Sequence, residues 1–327
     1  MGNDLRKRVL VIGGTGLFGK SIIRYFEKNN LLIEEVELTL LSRNPDNFRL
    51  RDYAPNLHND IKVLKGDILD ISSLPENNFD FIIHAATDST SGLSLECLDR
   101  SNQIVLGTRN VLDWIITNKS SRLLYISSGG IYGSNIVNRS LDENQHADLS
   151  INSIEDTYSI SKAFAEHLCF LYGEKHALNF SIARCFTFFG EDLPLNRHFA
   201  IGNFIRDAIN KRPIVIKGDG KTIRSYMDQY DLANWLIKIL FHGEFGDIYN
   251  VGSDREISLF QLALLIQNIA GNKAGVVVQG KTIDGQSRNR NYYVPDTQKF
   301  QTSFGINTSY ELEETIIRVL HFNNYEN

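Results

Sequence analysis

The chain has 327 residues, enough to bury a large core or two smaller ones, and an ordinary globular composition with 42% hydrophobic and 22% charged residues. Its 39 acidic against 34 basic residues give a formal net charge of -5, which argues against a general nucleic-acid or anionic-membrane binder. Cys97, Cys169 and Cys185 form no Cys-x-x-Cys pair and the eight histidines show no ligand spacing, so neither a disulfide framework nor a metal site is expected. No apolar run is long enough to span a bilayer or to act as a signal-peptide core, so the expectation is a cytoplasmic protein with no membrane or nucleic-acid partner.

The first element is VLVIGGTGLFGKSII, Val9 to Ile23. Apolar residues lead into Gly13, glycines follow at Gly16 and Gly19, and Leu17, Phe18, Ile22 and Ile23 begin an apolar pattern at helical spacing. That is strand, tight turn, helix. Such a turn puts unpaired N–H groups and the positive end of a helix dipole at one point, where a pyrophosphate fits; the pattern alone also describes a plain glycine turn.

Further on, EVELTLLS, IKVLKGD, FDFIIHAAT, RLLYISS and NFSIARCF read as strands, and Gln103 to Ile116 and Ser159 to Tyr172 as amphipathic helices. Alternation of this kind predicts an α/β fold, a Rossmann-type doubly wound parallel sheet with ligands at the C-terminal strand ends. After about Arg184 the chain reads as irregular until a helix at Asp231 to Phe241, and a smaller C-terminal lobe is expected there. The division is a dinucleotide-binding domain over 1–183, to which the chain returns around 223–252, and a lobe over 184–222 and 253–327. There is no internal repeat or low-complexity tract.

The second strand ends at Ser42 and Arg43, where folds that take NAD usually place a carboxylate for the adenine ribose hydroxyls. Arginine suits a phosphate on that ribose, so NADP(H) is favoured and NAD(H) stays possible. Asp67, ending the next strand, could reach the adenine edge or serve only the turn. In DTYSISKAFAEHL, Tyr158 and Lys162 stand one helical turn apart and share a face. A nearby ammonium is expected to lower the phenol's pKa, fitting Tyr158 to exchange protons with a sugar hydroxyl. Upstream, YISSGGIYG places Ser127 and Ser128 at a strand end, where a hydroxyl could hold the same oxygen.

Taken in order, GGTGLFG, GDI, HAA (His84 to Ala86), SSGGIYG, YSISK and YNVGS resemble the extended short-chain dehydrogenase/reductases, in particular the nucleotide-sugar epimerase/dehydratase branch, over nearly the whole chain. The resemblance implies that Gly13, Gly16 and Gly19 cradle the pyrophosphate, with Thr15, Leu17, Phe18, Ile68, Ala85 and Ala86 around the dinucleotide. It implies a catalytic triad of Ser128, Tyr158 and Lys162, with Lys162 also holding the nicotinamide ribose and Asn102 matching a family asparagine near the active site. Arg224 in GDGKTIRSY resembles the arginine that grips the substrate's diphosphate, Arg288 or Arg290 offers a second grip, and Thr187 stands where the family usually has asparagine. A homodimer pairing the helices at Gln103 to Ile116 and Ser159 to Tyr172 is also implied.

Three departures bear on the reaction. Dehydratases carry an Asp-Glu pair after the catalytic hydroxyl, and this chain has Gly129 and Gly130. Glu191 replaces a usual proline, and Arg43 suits NADP whereas epimerases generally retain NAD. The favoured expectation is therefore a 4-ketoreductase acting on a nucleotide-activated sugar, ahead of a 4-epimerase and then a dehydratase. A non-catalytic dinucleotide-sensing protein and a reductase of small carbonyl compounds are the rivals from other classes.

Overall fold

A computed structural model describes residues 6–30, 34–87, 96–133, 140–197, 199–280 and 291–325. Its centre is β1 (Lys7–Ile12), whose last four residues are buried on both faces, as an apolar run in a parallel sheet requires. Alternation then sorts them: Val9 and Val11 enter one core, Leu10 and Ile12 the other.

Seven parallel strands form the main sheet, in the order β11 (Ile248–Val251), β6 (Asn179–Cys185), β5 (Arg122–Ser128), β4 (Phe81–His84), β1, β2 (Val36–Ser42), β3 (Lys62–Lys65). Strand order reverses at β1, which pairs with β2 on one side and β4 on the other. Connections therefore leave the C-terminal ends of β1 and β4 in opposite directions, and a crevice opens between them.

Helices cover both faces. On one, α1 (Leu17–Lys28) contributes Ile22, Ile23 and Phe26. On the other, α2 (Cys97–Thr117) and α3 (Thr157–His176) pack side by side, burying Ile104, Val111, Ala165 and Leu168.

The segment read as irregular holds more helix than expected. In α4 (Ala200–Ile209), Ile201, Phe204, Ile205 and Ala208 form a buried stripe at helical spacing. The next helix, α5 (Gln229–His242), lies over the sheet beside α1 and buries Trp235 and Leu236. Then α6 (Leu259–Ile269) starts with a reciprocal capping box between Ser258 and Gln261. With α8 (Leu312–Tyr325), which follows α7 (Gln298–Phe304), α4 and α6 enclose a third core away from the sheet. Both signals, an apolar stripe and a Ser-x-x-Gln box, were present in the sequence.

One short pairing, β8 (Ile214–Ile216) with β13 (Val276–Val278), edges this third core, and others carry its chain to the crevice: β7 (Phe188–Phe189) with β10 (Met227–Asp228), and β9 (Ile223–Arg224) between β12 (Ile257–Ser258) and β14 (Tyr292–Tyr293). Ion pairs pin the loop after β7. Arg24 of α1 grips Asp192 bidentately at 2.6 and 3.0 Å, and Arg318 of α8 bonds Glu191 at 2.7 Å and also Asp228. Glu191 thus works as a tether between elements. Among the described residues no helix is long and apolar enough to cross a membrane, and no group of acidic, His and Cys side chains could hold a metal ion.

Candidate active site

The turn after β1 is built by close approach. Gly13 has φ +89°, and a Cβ there would lie 2.8 Å from the Ala85 carbonyl oxygen. Its N–H and that of Gly14 donate to the Leu41 carbonyl at 2.9 and 3.0 Å, locking the turn to β2. A Cβ on Gly19 would overlap the Gly14 carbonyl, so only glycine lets α1 begin directly against the turn. Gly16 is the N-cap and supplies no side-chain acceptor, which leaves the first-turn N–H groups for a ligand. A pyrophosphate fits this cradle: the donors, the dipole and the room that a side chain would otherwise take coincide.

Around it a cleft is lined by Gly13, Thr15, Gly16, Leu17, Phe18, Ser42, Arg43, Ile68, Ala85 and Ala86. Gly19 lies against the Gly14 carbonyl and is not in the lining, nor are Asp67 and Asn102, which were also expected here. Asp67 instead closes its own turn, its Oδ1 accepting the Leu69 N–H at 3.0 Å. Asn102 is exposed, and the lining residue is its buried neighbour Gln103. The periodicity could have found this, because Gln103, Gly107 and Val111 share the buried stripe of α2 and Asn102 lies off it.

The crevice deepens into a second, largely apolar cavity lined by Ser127, Ser128, Tyr158, Lys162, Thr187 and a set of aromatic rings. Ser128 ends β5 and its Oγ accepts the Gly130 N–H at 3.0 Å, capping a short turn that holds the hydroxyl at the strand end. The Tyr158 hydroxyl hydrogen-bonds Ser128. One turn along α3, the buried Lys162 donates to the Ile126 carbonyl at 2.7 Å and lies 4.9 Å from the Tyr125 ring centroid.

Electrostatics here correct the sequence expectation. Burial pushes the Tyr158 phenol up to about 12, although its bond to Ser128 and the charge of Arg100 pull the other way. The Lys162 ammonium is hydrogen-bonded to the Ile126 carbonyl. Burial in turn brings Lys162 down to about 8, with Glu166 opposing. His84, buried behind them and bonded through Nε2 to Thr108 at 3.2 Å, is held near 3 by burial and by the Lys162 charge. At neutral pH the cavity therefore holds a protonated phenol and an ammonium, with a neutral imidazole buried behind them.

The aromatic wall was not anticipated. Phe186, just after β6, stacks between Tyr293 at 4.6 Å and Tyr132 at 6.1 Å. A Cβ on Gly129 would lie 2.6 Å from the Phe186 ring. The space after Ser128 is thus filled by the residue that follows β6, and a carboxylate there would have to displace the ring. Arg224 stands behind this wall, its guanidinium 5.6 Å from the Tyr293 ring centroid, so it is not in the cavity lining. Arg288 and Arg290 lie outside the described residues.

A dinucleotide cradle opening onto a hydroxyl, phenol and ammonium at the switch point defines the class: an extended short-chain dehydrogenase/reductase. Within it, the model of the NAD dependent epimerase/dehydratase family matches residues 9–252, and the chain belongs to that family. The chain is 30% identical over 286 residues to a dTDP-D-glucose 4,6-dehydratase of Dictyostelium discoideum, covering 81% of this chain and 62% of that protein, so it spans under two thirds of that relative's length. Among solved structures, UDP-glucose 4-epimerase of Thermotoga maritima with UDP-glucose has a TM-score of 0.82 at 19% identity, covering 98% of this chain and 99% of that one. The dTDP-glucose 4,6-dehydratase of Streptomyces venezuelae with NAD bound has a TM-score of 0.83 at 21% identity, covering 97% of each chain. At these identities the structures share the fold.

Proposed function

We propose that the protein is an NADP(H)-using 4-ketoreductase of a nucleotide-activated sugar. The observation that carries the reading is Arg43 after β2, in a cofactor cleft whose lining holds no carboxylate; the Tyr158 phenol, pushed up by burial, is in the state that donates to a keto oxygen. When bound, the nicotinamide supplies the hydride. Tyr158 gives its Oη proton to the oxygen on carbon four and is left as the phenolate until solvent returns a proton, Ser128 holds that oxygen through its hydroxyl, and the Lys162 ammonium one helical turn along offsets the phenolate's negative charge. Ser128, Tyr158 and Lys162 carry the chemistry; the lobe, residues 184–222 and 253–327, takes the sugar nucleotide. Arg224 and, from the segment before β14, Arg288 or Arg290 are assigned to the diphosphate.

Gly129 and Gly130 supply no carboxylates for the acid and base of a 4,6-dehydratase, and a side chain at Gly129 would have to displace the Phe186 ring, which supports this reading against that one. Arg43 at the end of β2, with no carboxylate beside it in the cleft lining, supports NADP(H). A 4-epimerase with tightly held NAD is the second reading, favoured by the likeness to epimerases, since both reactions share this half-step. The test is to identify any dinucleotide released on denaturing the purified protein, then to follow NADPH oxidation with 4-keto-6-deoxy nucleotide sugars. Consumption of NADPH with a sugar alcohol as product is expected. Stoichiometric NAD released, with interconversion of UDP-glucose and UDP-galactose in the absence of added cofactor, would replace the ketoreductase by the epimerase.

The protein also pairs as a homodimer through α2 and α3 in this reading. Leu98, Leu106, Phe164 and Leu171 leave these two helices with exposed apolar side chains, which a second copy would cover. Sedimentation at micromolar concentration should give twice the chain mass.

A further inference from the structure

Two motifs of the sequence, SSGGIYG and YNVGS, each carry a polar residue that the reaction leaves unused, Tyr132 and Asn250, and both are buried. A third buried group stands between them and α3. Side chains alternate along β6: Ala183 and Cys185 enter one core and Ile182 the other, so Arg184 points with Ile182 to the face that α3 covers. A guanidinium sunk there has to be paired. Its partner is Glu166, one turn beyond Lys162 and two beyond Tyr158 on α3. Nη2 donates to Oε2 at 2.8 Å, and Nε to both carboxylate oxygens at 3.2 and 3.3 Å.

The far side of the guanidinium is also used. Nη1 donates to the Tyr132 hydroxyl at 3.0 Å and to the Glu143 carbonyl at 3.1 Å. That hydroxyl donates onward to Asn250 Oδ1 at 2.8 Å. The Asn250 Nδ2 then donates to the Leu141 and Asp296 carbonyls at 2.7 and 3.1 Å. Leu141 accepts the Asp296 N–H at 2.8 Å and donates its own N–H to Val294 at 3.0 Å, which holds the chain just after Tyr293. Bonds thus run without a break from α3 to the backbone behind the aromatic wall, and a fully paired buried network of this kind holds one geometry. Tyr132 belongs to both structures, its hydroxyl in the network and its ring stacked on Phe186. Phe186 and Tyr293 line the cavity with Tyr158, whereas none of the four network residues does.

We propose that Glu166, Arg184, Tyr132 and Asn250 are positioning residues, which fix the distance from the Tyr158 hydroxyl to the wall of Phe186 and Tyr293 and so hold the sugar ring where the phenol can reach it. The inference rests on the reading of the site as one that acts on a nucleotide-activated sugar. A misplacement of about 1 Å at a reacting centre can cost on the order of a hundredfold in rate. The glycine turn is locked to Leu41 and Ala85 and owes nothing to this network, so the effect falls on the sugar and not on the dinucleotide.

The experiment compares Tyr132→Phe, Glu166→Gln and the double variant in the full chain by kcat and KM for the sugar nucleotide, dinucleotide affinity and melting temperature. The substrate is a 4-keto-6-deoxy nucleotide sugar with NADPH, or UDP-glucose and UDP-galactose if the wild type interconverts those instead. Tyr132→Phe keeps the ring on Phe186 and removes only the hydroxyl. Expected are about a tenfold loss of kcat in each single variant, dinucleotide affinity within about twofold, and a double variant no more than about threefold below the slower single one. Leu240→Val, in α5 on the other face of the sheet, should lower the melting temperature and leave kcat and KM unchanged, which separates stability from positioning. Lower melting temperatures with wild-type kcat and KM in Tyr132→Phe and Glu166→Gln would make the network a support of the fold alone and overturn the proposal. Losses that multiply in the double variant would overturn the coupling through Arg184, and a loss of dinucleotide affinity in step with kcat would overturn the placing of the effect on the sugar. A wild type that turns over neither substrate would overturn the reading of the reaction and the positioning role with it.

Discussion

Two glycines, one in each half of the crevice, leave no room for a Cβ, and what each would strike differs. At Gly19 the obstacle is the backbone carbonyl of Gly14; at Gly129 it is the ring of Phe186. The glycine-turn half rests on close main-chain approaches, within the turn and to Leu41 and Ala85 across the sheet, and the Tyr158 half on side chains brought together from β5, α3, the end of β6 and β14. A backbone cradle cannot be relaxed by a change elsewhere. A wall of side chains can, which makes the catalytic half the part that a change of reaction or substrate can reach.

The largest effect expected is on the chemistry alone. Tyr158→Phe should lower turnover by about three orders of magnitude while dinucleotide affinity stays within about twofold, measured by initial rates and fluorescence titration. Turnover near wild type would remove Tyr158 from the mechanism. Gly19→Ala should act in the other half: α1 must retreat from its turn, and dinucleotide affinity should fall about a hundredfold, with no truncation of a neighbouring side chain able to restore it. Gly129→Ala should instead lower kcat about tenfold at nearly constant cofactor affinity, and adding Phe186→Leu should recover most of the loss. If the two changes are simply additive, the packing of Gly129 against Phe186 is not what limits the cavity.

Two pH experiments sharpen the comparison further. With Lys162 held near 8, the ammonium that lies in the cavity at pH 7 is mostly lost by pH 9, so the rate of ketone reduction should drop about tenfold across that interval. A flat profile would show that the charge of Lys162 is not used. His84 acts on stability only. Its folded pKa is depressed to about 3, so between the ordinary imidazole value and 3 the unfolded chain binds more protons, and stability falls as pH falls. This one group contributes about 1.4 kcal/mol per pH unit within that window. The variant His84→Gln should lose less melting temperature than wild type between pH 6.5 and 5.

Much of the dinucleotide half was legible in the sequence, because the features that make it are local. Gly13, Gly16 and Gly19 sit within one turn and one helix start, and the strand before them is a single apolar run. Asn102 and Gln103 mark the limit of reading motifs without faces: one residue along α2 separates an exposed side chain from one in the cleft. The helices of the third core, such as α4 with its short stripe of Ile201, Phe204, Ile205 and Ala208, carry no chemical motif and stand among turn residues, so their segment read as irregular. The aromatic wall had no local signature, since Phe186 and Tyr293 lie more than a hundred residues apart.

By itself the sequence determined the strand–glycine–helix cradle, the one-turn spacing of Tyr158 and Lys162 and the placing of Arg43 after β2, because chain geometry over a few residues is set by backbone sterics and helix period. Only the tertiary structure decided that the Lys162 ammonium faces the Ile126 carbonyl, that burial keeps Tyr158 protonated and that Phe186 fills the space beside Gly129. Desolvation and packing depend on which distant residues come to surround a group, and that is fixed when the cores close.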